Sequence, residues 1–420
     1  MSRVLFVNVF GYGHINPTIG IVKELIDRGE KVTYVAGDEF REKIESIGAD
    51  FVGYKNFDEA QFQNGNIRFE DIEPQIIEIT RVYKGIIDII FNLKEKFDYI
   101  IYDTLFFLGN EIGRVLSIPT ISSSSSFAAN NKIDFFSAFI NSFKPVLDRL
   151  LTGSELVDTI RYLWGKYEIK VPDFSSLGSL RNDINIVYTS KLFQIFGESF
   201  DESYKFIGPS IIDRMEKSDP SLQISENKKT IYISLGTVFN ESIEFYQCCL
   251  KAFEDIDAKI IMSVGKSIDI STFKSVPSNF IIRNYVPQLE ILKHADVFIT
   301  HGGMNSANEG LYYSVPLILV PQFFDQSIVA NRVAELGAGI VIEKHKVTAE
   351  LLKQSVERIF SDISYKANSE KIGKSLREAG GYKKGVDEIF TIKSKMESSE
   401  RGEEWRKNED KDTAGDLIYR

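Results

Sequence analysis

Hydrophobic and polar positions alternate along this chain with two different periods, and the switches between them outline its elements. Arg3–Val9 is a short, almost continuous apolar run rich in Val, Leu and Phe, ended by the glycines of Phe10-Gly-Tyr-Gly. Such a run, bounded by glycine, predicts a buried strand. Pro17 opens a stretch with apolar Ile19, Val22, Leu25 and Ile26 and with Gly29 just past its end. That pattern predicts a helix with its start near the proline. Lys31–Ala36 and Ala49–Tyr54 read as further strands, with Asp38 placed to cap a helix between them. After a helical stretch near Pro74–Lys96, strands are predicted at Tyr99–Tyr102, Thr120–Ser122 and Ile184–Thr189. A second series follows at Thr230–Ser234, Lys259–Val264, Asn279–Val286, Val297–Thr300 and Leu317–Val320. Strands that alternate with helices imply an α/β fold with parallel sheets and crossover helices.

The two series are separated by Asp213–Lys229, which is polar and charged and has no apolar period. The expected organisation is therefore an N-terminal Rossmann-like domain over 1–212, a linker over 213–229 and a second Rossmann-like, doubly wound domain over 230–380. The stretch 397–420 is highly charged and is expected to be a solvated, disordered tail.

Composition narrows the function classes. The 420 residues are 43% apolar and 26% charged, as in ordinary globular proteins, which excludes a fibrous, collagenous or wholly disordered chain. A formal net charge of −10 argues against nucleic acid as a partner, since that needs a basic surface to displace counterions. A local cationic site for phosphate remains compatible with it. The two cysteines, Cys248 and Cys249, are adjacent and cannot staple a fold, so both read as reduced core or interface residues. No Cys/His cluster has zinc-like spacing. The N-terminus lacks the apolar core and cleavage site of a signal peptide. No apolar run approaches the ~20 residues of a membrane span. A cytoplasmic protein is expected.

The segment Asn284–Gln326 carries the densest chemistry. Within it the strand Val297–Thr300 runs into His301-Gly302-Gly303, and a helix follows. Small residues at such a turn let backbone approach a ligand, and the amides at a helix start attract anions. Asn305 and Ser306 add side-chain donors. On the glycines alone, a phosphate site and a tight turn with no ligand are both open. In the first domain, Gly11-Tyr-Gly-His-Ile-Asn16 nearly fits a dinucleotide-binding loop, with Asp38 about 20 residues further on, as an NAD-dependent oxidoreductase requires. Its third glycine is replaced by Asn16, and that reading leaves 284–326 unexplained.

The whole segment resembles the nucleotide-sugar signature of the UDP-glycosyltransferase superfamily (glycosyltransferase family 1), above all its bacterial macrolide-glycosyltransferase-like branch. The matching residues are Tyr285-Val-Pro-Gln288, then Leu289 and His294, Thr300-His-Gly-Gly-Met-Asn-Ser306, Glu309, Val315-Pro316, Pro321-Gln322 and Asp325-Gln326. The resemblance implies a GT-B fold, two Rossmann-like domains facing each other across a cleft, with a helix over 381–396 packing back on the first. It also implies a UDP-sugar donor and a small hydroxylated acceptor as partners, and inverting transfer with no cofactor and no metal. No Asp-x-Asp element stands at a strand end, where metal-using glycosyltransferases have one. By resemblance Tyr285 stacks on the base beside the Val286 backbone, Gln288 flanks the nucleoside and Glu309 takes the ribose hydroxyls. His301, Gly303, Asn305 and Ser306 face the diphosphate, and Asp325 and Gln326 the sugar. The turn Ser234-Leu-Gly236-Thr237 resembles the other phosphate-facing loop. Tyr285 replaces the usual tryptophan, and Ser314 stands where glycine is usual, which is expected to be without consequence.

Inverting transfer needs a base to take the acceptor's proton, and a histidine suits neutral pH. The resemblance places that base at His14, expected on a loop after the first strand, and its orienting carboxylate at Asp103. An ordinary hydrogen-bonded histidine is the alternative. Phe106, Phe107, Phe127, Phe135 and Phe136 are expected either to line an apolar acceptor pocket or to be core. A lining would suit flavonoid, phenol or macrolide-like acceptors. Asp325-Gln326 is compatible with glucose, with N-acetylglucosamine still open. A nucleotide-sugar epimerase or hydrolase of the same fold, a non-catalytic binding module and a lipid-carrier transferase remain as rivals. The acidic balance counts against the last. Oligomeric state is not legible.

Overall fold

The alternation of buried runs and amphipathic segments produces two parallel sheets. The computed structural model describes all residues except 10, 56–71, 131–143, 153–154, 173–181, 213–221, 223–227, 237–241 and 399–420. Most of the expected linker and nearly all of the expected tail thus lie outside the described residues. The chain divides into two units: 1–188 with 196–210 and 380–420, and 189–195 with 211–379.

In the first unit the strands are β1 (Arg3–Val7), β2 (Lys31–Gly37), β3 (Asp50–Tyr54), β4 (Tyr99–Asp103), β5 (Thr120–Ser124), β6 (Ile184–Val187) and β7 (Tyr204–Phe206). They pair in the order β3-β2-β1-β4-β5-β6-β7, all parallel. Apolar side chains of β1, β2 and β4 pack with Ile86 and Ile87 of the helix Ile72–Asn92 in one buried cluster. Each such fully buried side chain contributes about 1.5–3 kcal/mol relative to exposure. The edge strand β7 is only three residues long and half-buried, and the sequence pattern did not predict it.

The first helix, α1 (Gly11–Asp27), differs from expectation. It begins six residues before Pro17 and includes the Gly-Tyr-Gly-His motif, so His14 stands in its first turn and not on a loop. Proline removes a single amide from the helical ladder, and α1 runs on through Pro17 to Asp27. Asp38 caps no helix: it opens the short turn Asp38–Phe40, and its carboxylate lies 3.4 Å from Arg41 Nη2. The last described helix, Gly381–Ser398, packs against α1 within the same unit. Gly385 permits the approach, because a Cβ there would lie 2.6 Å from Ile21 Cδ1. Arg28 Nη1 donates to Asp387 Oδ1 at 2.6 Å, and Lys393 Nζ to Glu30 Oε1 at 2.7 Å.

In the second unit, β8 (Lys229–Ser234), β9 (Ala258–Ser263), β10 (Phe280–Arg283), β11 (Val297–Thr300), β12 (Leu317–Leu319) and β13 (Gly339–Val341) form a parallel sheet in the order β10-β9-β8-β11-β12-β13. Its core gathers Ile231, Ile233, Phe253, Met262, Ile299 and Val356. Cys249 is buried in that core and Cys248 packs against it; both are free thiols. The short segment 189–195 belongs to this unit. Arg332 donates to the carbonyls of Leu192 at 2.9 Å and Phe193 at 3.0 Å, and Thr189 Oγ1 to Asn308 Oδ1 at 2.9 Å.

Ser314 has a consequence after all: its φ of 61° lies in the left-handed region, where glycine is free and serine is not. Two contacts hold it there. Arg377 Nη1 donates to its Oγ at 3.3 Å and Lys366 Nζ to its carbonyl at 2.9 Å. Among the described residues no helix is long and apolar enough to cross a membrane.

Glu30 is almost wholly buried and takes one bond from the Ser2 amide and one from Lys393. Lys393→Ala is expected to destabilise the first unit by about 1–3 kcal/mol, the cost of an under-bonded buried group. Thermal melting of the two proteins checks it.

Candidate active site

Strand order reverses once in each sheet, and there the crossovers diverge to leave room at the carboxyl ends of two neighbouring strands. In the first unit these are β1 and β4. α1 starts just past β1 and carries His14; Asp103 is the last residue of β4. His14 Nδ1 lies 2.7 Å from Asp103 Oδ2, with side-chain exposures of 25% and 1%. Asp103 Oδ1 accepts from the Leu105 amide at 2.8 Å, which fixes the carboxylate plane. The two residues expected to act together, 89 positions apart in sequence, are in contact.

The sequence did not point to a third. Ser125 Oγ lies 2.8 Å from the same Nδ1. Nδ1 carries one proton and the carboxylate is the stronger acceptor, so the serine oxygen shares that proton as a second acceptor. The run Ser122–Ser126 was the available signal. Because β5 pairs with β4 in the register Asp103↔Ser123, the residues just past Ser123 must approach His14.

In the second unit the reversal lies between β8 and β11. Gly236 follows β8, and His301-Gly302-Gly303 follows β11 and leads into α2 (Met304–Tyr312), with Gly303 at the N-cap position. Gly236 and Gly302 both have φ of +83°. The His301 ring is held between two glycines. A Cβ at Gly236 would lie 2.6 Å from its Cε1, and one at Gly303 2.4 Å from its Nε2. Burial of the ring pushes its pKa down from 6.5 to about 4, so the imidazole is neutral at pH 7. Asn305 and Ser306 stand in the first turn of α2.

Glu309, on the same helix, is buried and accepts from Gln288 Nε2 at 2.6 Å, while Gln288 Oε1 accepts from Tyr232 at 3.1 Å. Gln288 therefore orients Glu309 as well as standing beside it. Tyr285 follows β10 with 58% exposure, and Val286 next to it is buried. Asn284 pins this turn: its Nδ2 donates to the carbonyls of Gly265 and Ile268, each at 2.7 Å. That bracing residue was not singled out from the sequence.

Past β12, α3 (Phe324–Glu335) begins with Asp325 exposed and Gln326 buried. The two differ in what they can offer. Gln326 Oε1 already accepts from the Gln322 amide at 2.8 Å and the Phe323 amide at 3.2 Å, so its oxygen holds the loop and is not presented to a sugar. Thr237 and Phe136, like Phe135, lie outside the described residues. Phe106 is fully buried, edge-on to Tyr83 at 5.1 Å, and belongs to the core, not to a pocket lining. Phe107 packs on the same cluster, and Phe127 is 9% exposed. Among the described residues no three His, Cys, Asp or Glu side chains come together to hold a metal ion.

Two parallel Rossmann-like sheets, each with its polar residues at the strand reversal, define the GT-B class of glycosyltransferases. A family model described as the erythromycin biosynthesis protein CIII-like C-terminal domain matches residues 247–378. The chain is 37% identical to an uncharacterized UDP-glucosyltransferase of Bacillus subtilis, YojK, over 95% of this chain and all of that one. It is 34% identical to the NDP-glycosyltransferase YjiC of the same organism, over 94% of this chain and 98% of that one. The crystal structure of the calicheamicin glycosyltransferase CalG4 superposes with a TM-score of 0.80 at 27% identity, over 94% of this chain and 99% of that one. The chain belongs to the UDP-glycosyltransferase superfamily, in its macrolide-glycosyltransferase-like branch, and is a glycosyltransferase.

Two outcomes follow for His301. Gly303→Ala must displace the ring, and is expected to weaken nucleoside diphosphate binding about tenfold, the value of one hydrogen bond to a charged group; calorimetric titration measures it. Because folding lowers the pKa of His301, the unfolded chain binds more protons between about pH 4 and 6.5. Stability is expected to fall as pH drops through that window. The fall should be shallower in His301→Gln, as melting temperatures against pH will report.

Proposed function

We propose that this protein moves a sugar from a UDP-sugar, with glucose the expected donor sugar, to a hydroxyl of a small apolar or aromatic acceptor. Transfer is inverting and needs no metal. The observation that carries the reading is the 2.7 Å pair of His14 Nδ1 with the buried Asp103. With the Nδ1 proton directed at the carboxylate, Nε2 is the basic nitrogen. It takes the acceptor's proton as the acceptor oxygen forms its bond to the anomeric carbon. The bond from that carbon to the diphosphate oxygen breaks, and UDP leaves with the electron pair. Asp103 stabilises the imidazolium that results.

On the donor side Tyr285 stacks on uracil beside the Val286 backbone, and Glu309, oriented by Gln288, takes the ribose hydroxyls. His301 sits over Gly236 and Gly303 and, with the α2 amides, Asn305 and Ser306, receives the charge that develops on the leaving diphosphate. A neutral His301 does this as a hydrogen-bond donor. Asp325 accepts from the sugar hydroxyls. Of the aromatic residues, Phe107 and Phe127 remain candidates for the acceptor side. The YojK and YjiC names support a nucleotide-activated sugar donor, and the CalG4 name supports natural-product acceptors. Such a reaction on small soluble substrates fits a cytoplasmic enzyme.

The test is UDP release from UDP-glucose with a panel of phenols, flavonoids and macrolides, comparing wild type with His14→Ala and Asp103→Asn. Acceptor-dependent release should fall about 10²–10⁴-fold in His14→Ala, the range for loss of a general base. Asp103→Asn should fall in the same direction, with UDP affinity intact in both. Release that needs no acceptor would instead support the hydrolase or epimerase reading.

A further inference from the structure

Asn8 takes no part in the chemistry above, yet it sits just past the end of β1, fully buried, with every polar group of its side chain engaged. One Nδ2 hydrogen goes to the His14 carbonyl at 3.1 Å and the other to Tyr34 Oη at 2.9 Å, while Oδ1 accepts from the Val9 amide at 2.9 Å. The chain of bonds continues. Thr18 Oγ1 lies 2.7 Å from Tyr34 Oη and donates to the Ile15 carbonyl at 2.8 Å. Since the threonine has spent its only hydrogen on Ile15, the hydrogen between the two hydroxyls must come from tyrosine. All four hydrogens therefore have one place each. Flipping the Asn8 amide would set its oxygen against the His14 carbonyl and abandon Val9. The network begins and ends on two successive carbonyls, those of His14 and Ile15.

We infer that Asn8, Tyr34 and Thr18 form a positioning relay for His14, setting where the first turn of α1 presents the imidazole; this rests on the proposed role of His14 as base. Three further features fit it. Pro17 supplies no amide to this part of α1, so the turn that carries His14 has fewer internal bonds and gains from outside support. Tyr34 cannot drift, because its ring stacks on Phe6 of the neighbouring strand at 4.7 Å and 9°. Asn8 is held from the other side, where Tyr54 Oη donates to its carbonyl at 3.0 Å. Burial also raises the Tyr34 phenol, so it stays a donor at any working pH. Asp103 thus sets the tautomer and the relay sets the place.

The test is a double-mutant cycle. Tyr34→Phe keeps the stacked ring and removes a single oxygen, and Asn8→Ala removes the whole branch point. Each is expected to lower kcat about 10- to 100-fold, the effect of misplacing a reacting group by about an ångström. KM for UDP-glucose should stay unchanged. In a His14→Ala background the same changes should cost nothing further, because there is no imidazole left to place. An undiminished kcat in Tyr34→Phe, or an equal loss with and without His14, overturns the inference. A normal rate in His14→Ala alone would refute the base reading itself, and that is read before the cycle. A second readout needs no turnover. The chain has 4 histidines, so imidazole resonances labelled with nitrogen-15 are few enough to assign. Tyr34→Phe should move the His14 signals and leave those of His294, His301 and His345 in place; unmoved His14 signals would also overturn it. If Asn8→Ala does not fold, Tyr34→Phe alone carries both measurements.

Discussion

The rest of this structure depends on one topological constraint, the point in each parallel sheet where the strand order reverses. The strand order reverses between β1 and β4, and again between β8 and β11, and crossovers that diverge at such a point leave room at the carboxyl ends of the two strands. Every polar residue with a proposed role in the chemistry stands at the carboxyl end of a strand or in the turn or helix that follows. His14 and Asp103 meet because β1 and β4 are hydrogen-bonded neighbours, not because anything in their local sequence brings them together. The same rule sets Gly236 against His301, since β8 and β11 are paired.

Within that frame the two important histidines are given opposite electrostatic environments. His14 keeps partial solvent contact and faces a buried carboxylate 2.7 Å away. His301 is enclosed between glycines, and no carboxylate contributes to its shift; desolvation alone drives its pKa down. One imidazole therefore stands against a carboxylate at the edge of solvent, and the other is enclosed and neutral. Packing creates this difference as much as polarity does, because the enclosure of His301 relies on the missing side chains at 236 and 303.

How much of this was legible in the sequence follows from the range of each interaction. The central strands were readable because their buried runs are local: Val297–Thr300 was placed at its true bounds, and the others within a few residues. β7 and β13 were not, since three residues at a sheet edge carry too little pattern. The pairing of His14 with Asp103 was readable through a resemblance that preserves spacing. What escaped was set by contacts distant in sequence. Ser125 and Asn8 are unremarkable until the sheet brings His14 to them. The oxygen of Gln326 is taken by loop amides, and of the two readings open for Phe106 the burial decides for core. The helix start at Gly11 contradicts the local preference for starting at proline, because tertiary bonds outweigh one lost amide.

The captive segment 189–195 has a consequence for anyone who would recombine enzymes of this kind. The obvious place to splice two such genes is the region between the two series of strands. Here, however, a second unit cut at residue 211 would leave behind seven of its own residues. Thr189, Leu192 and Phe193 would then come from one parent, and Asn308 and Arg332, which hold them, from the other. A chimera that keeps those residues matched preserves the unit whole; one spliced by sequence order alone inherits a mismatched seam within it.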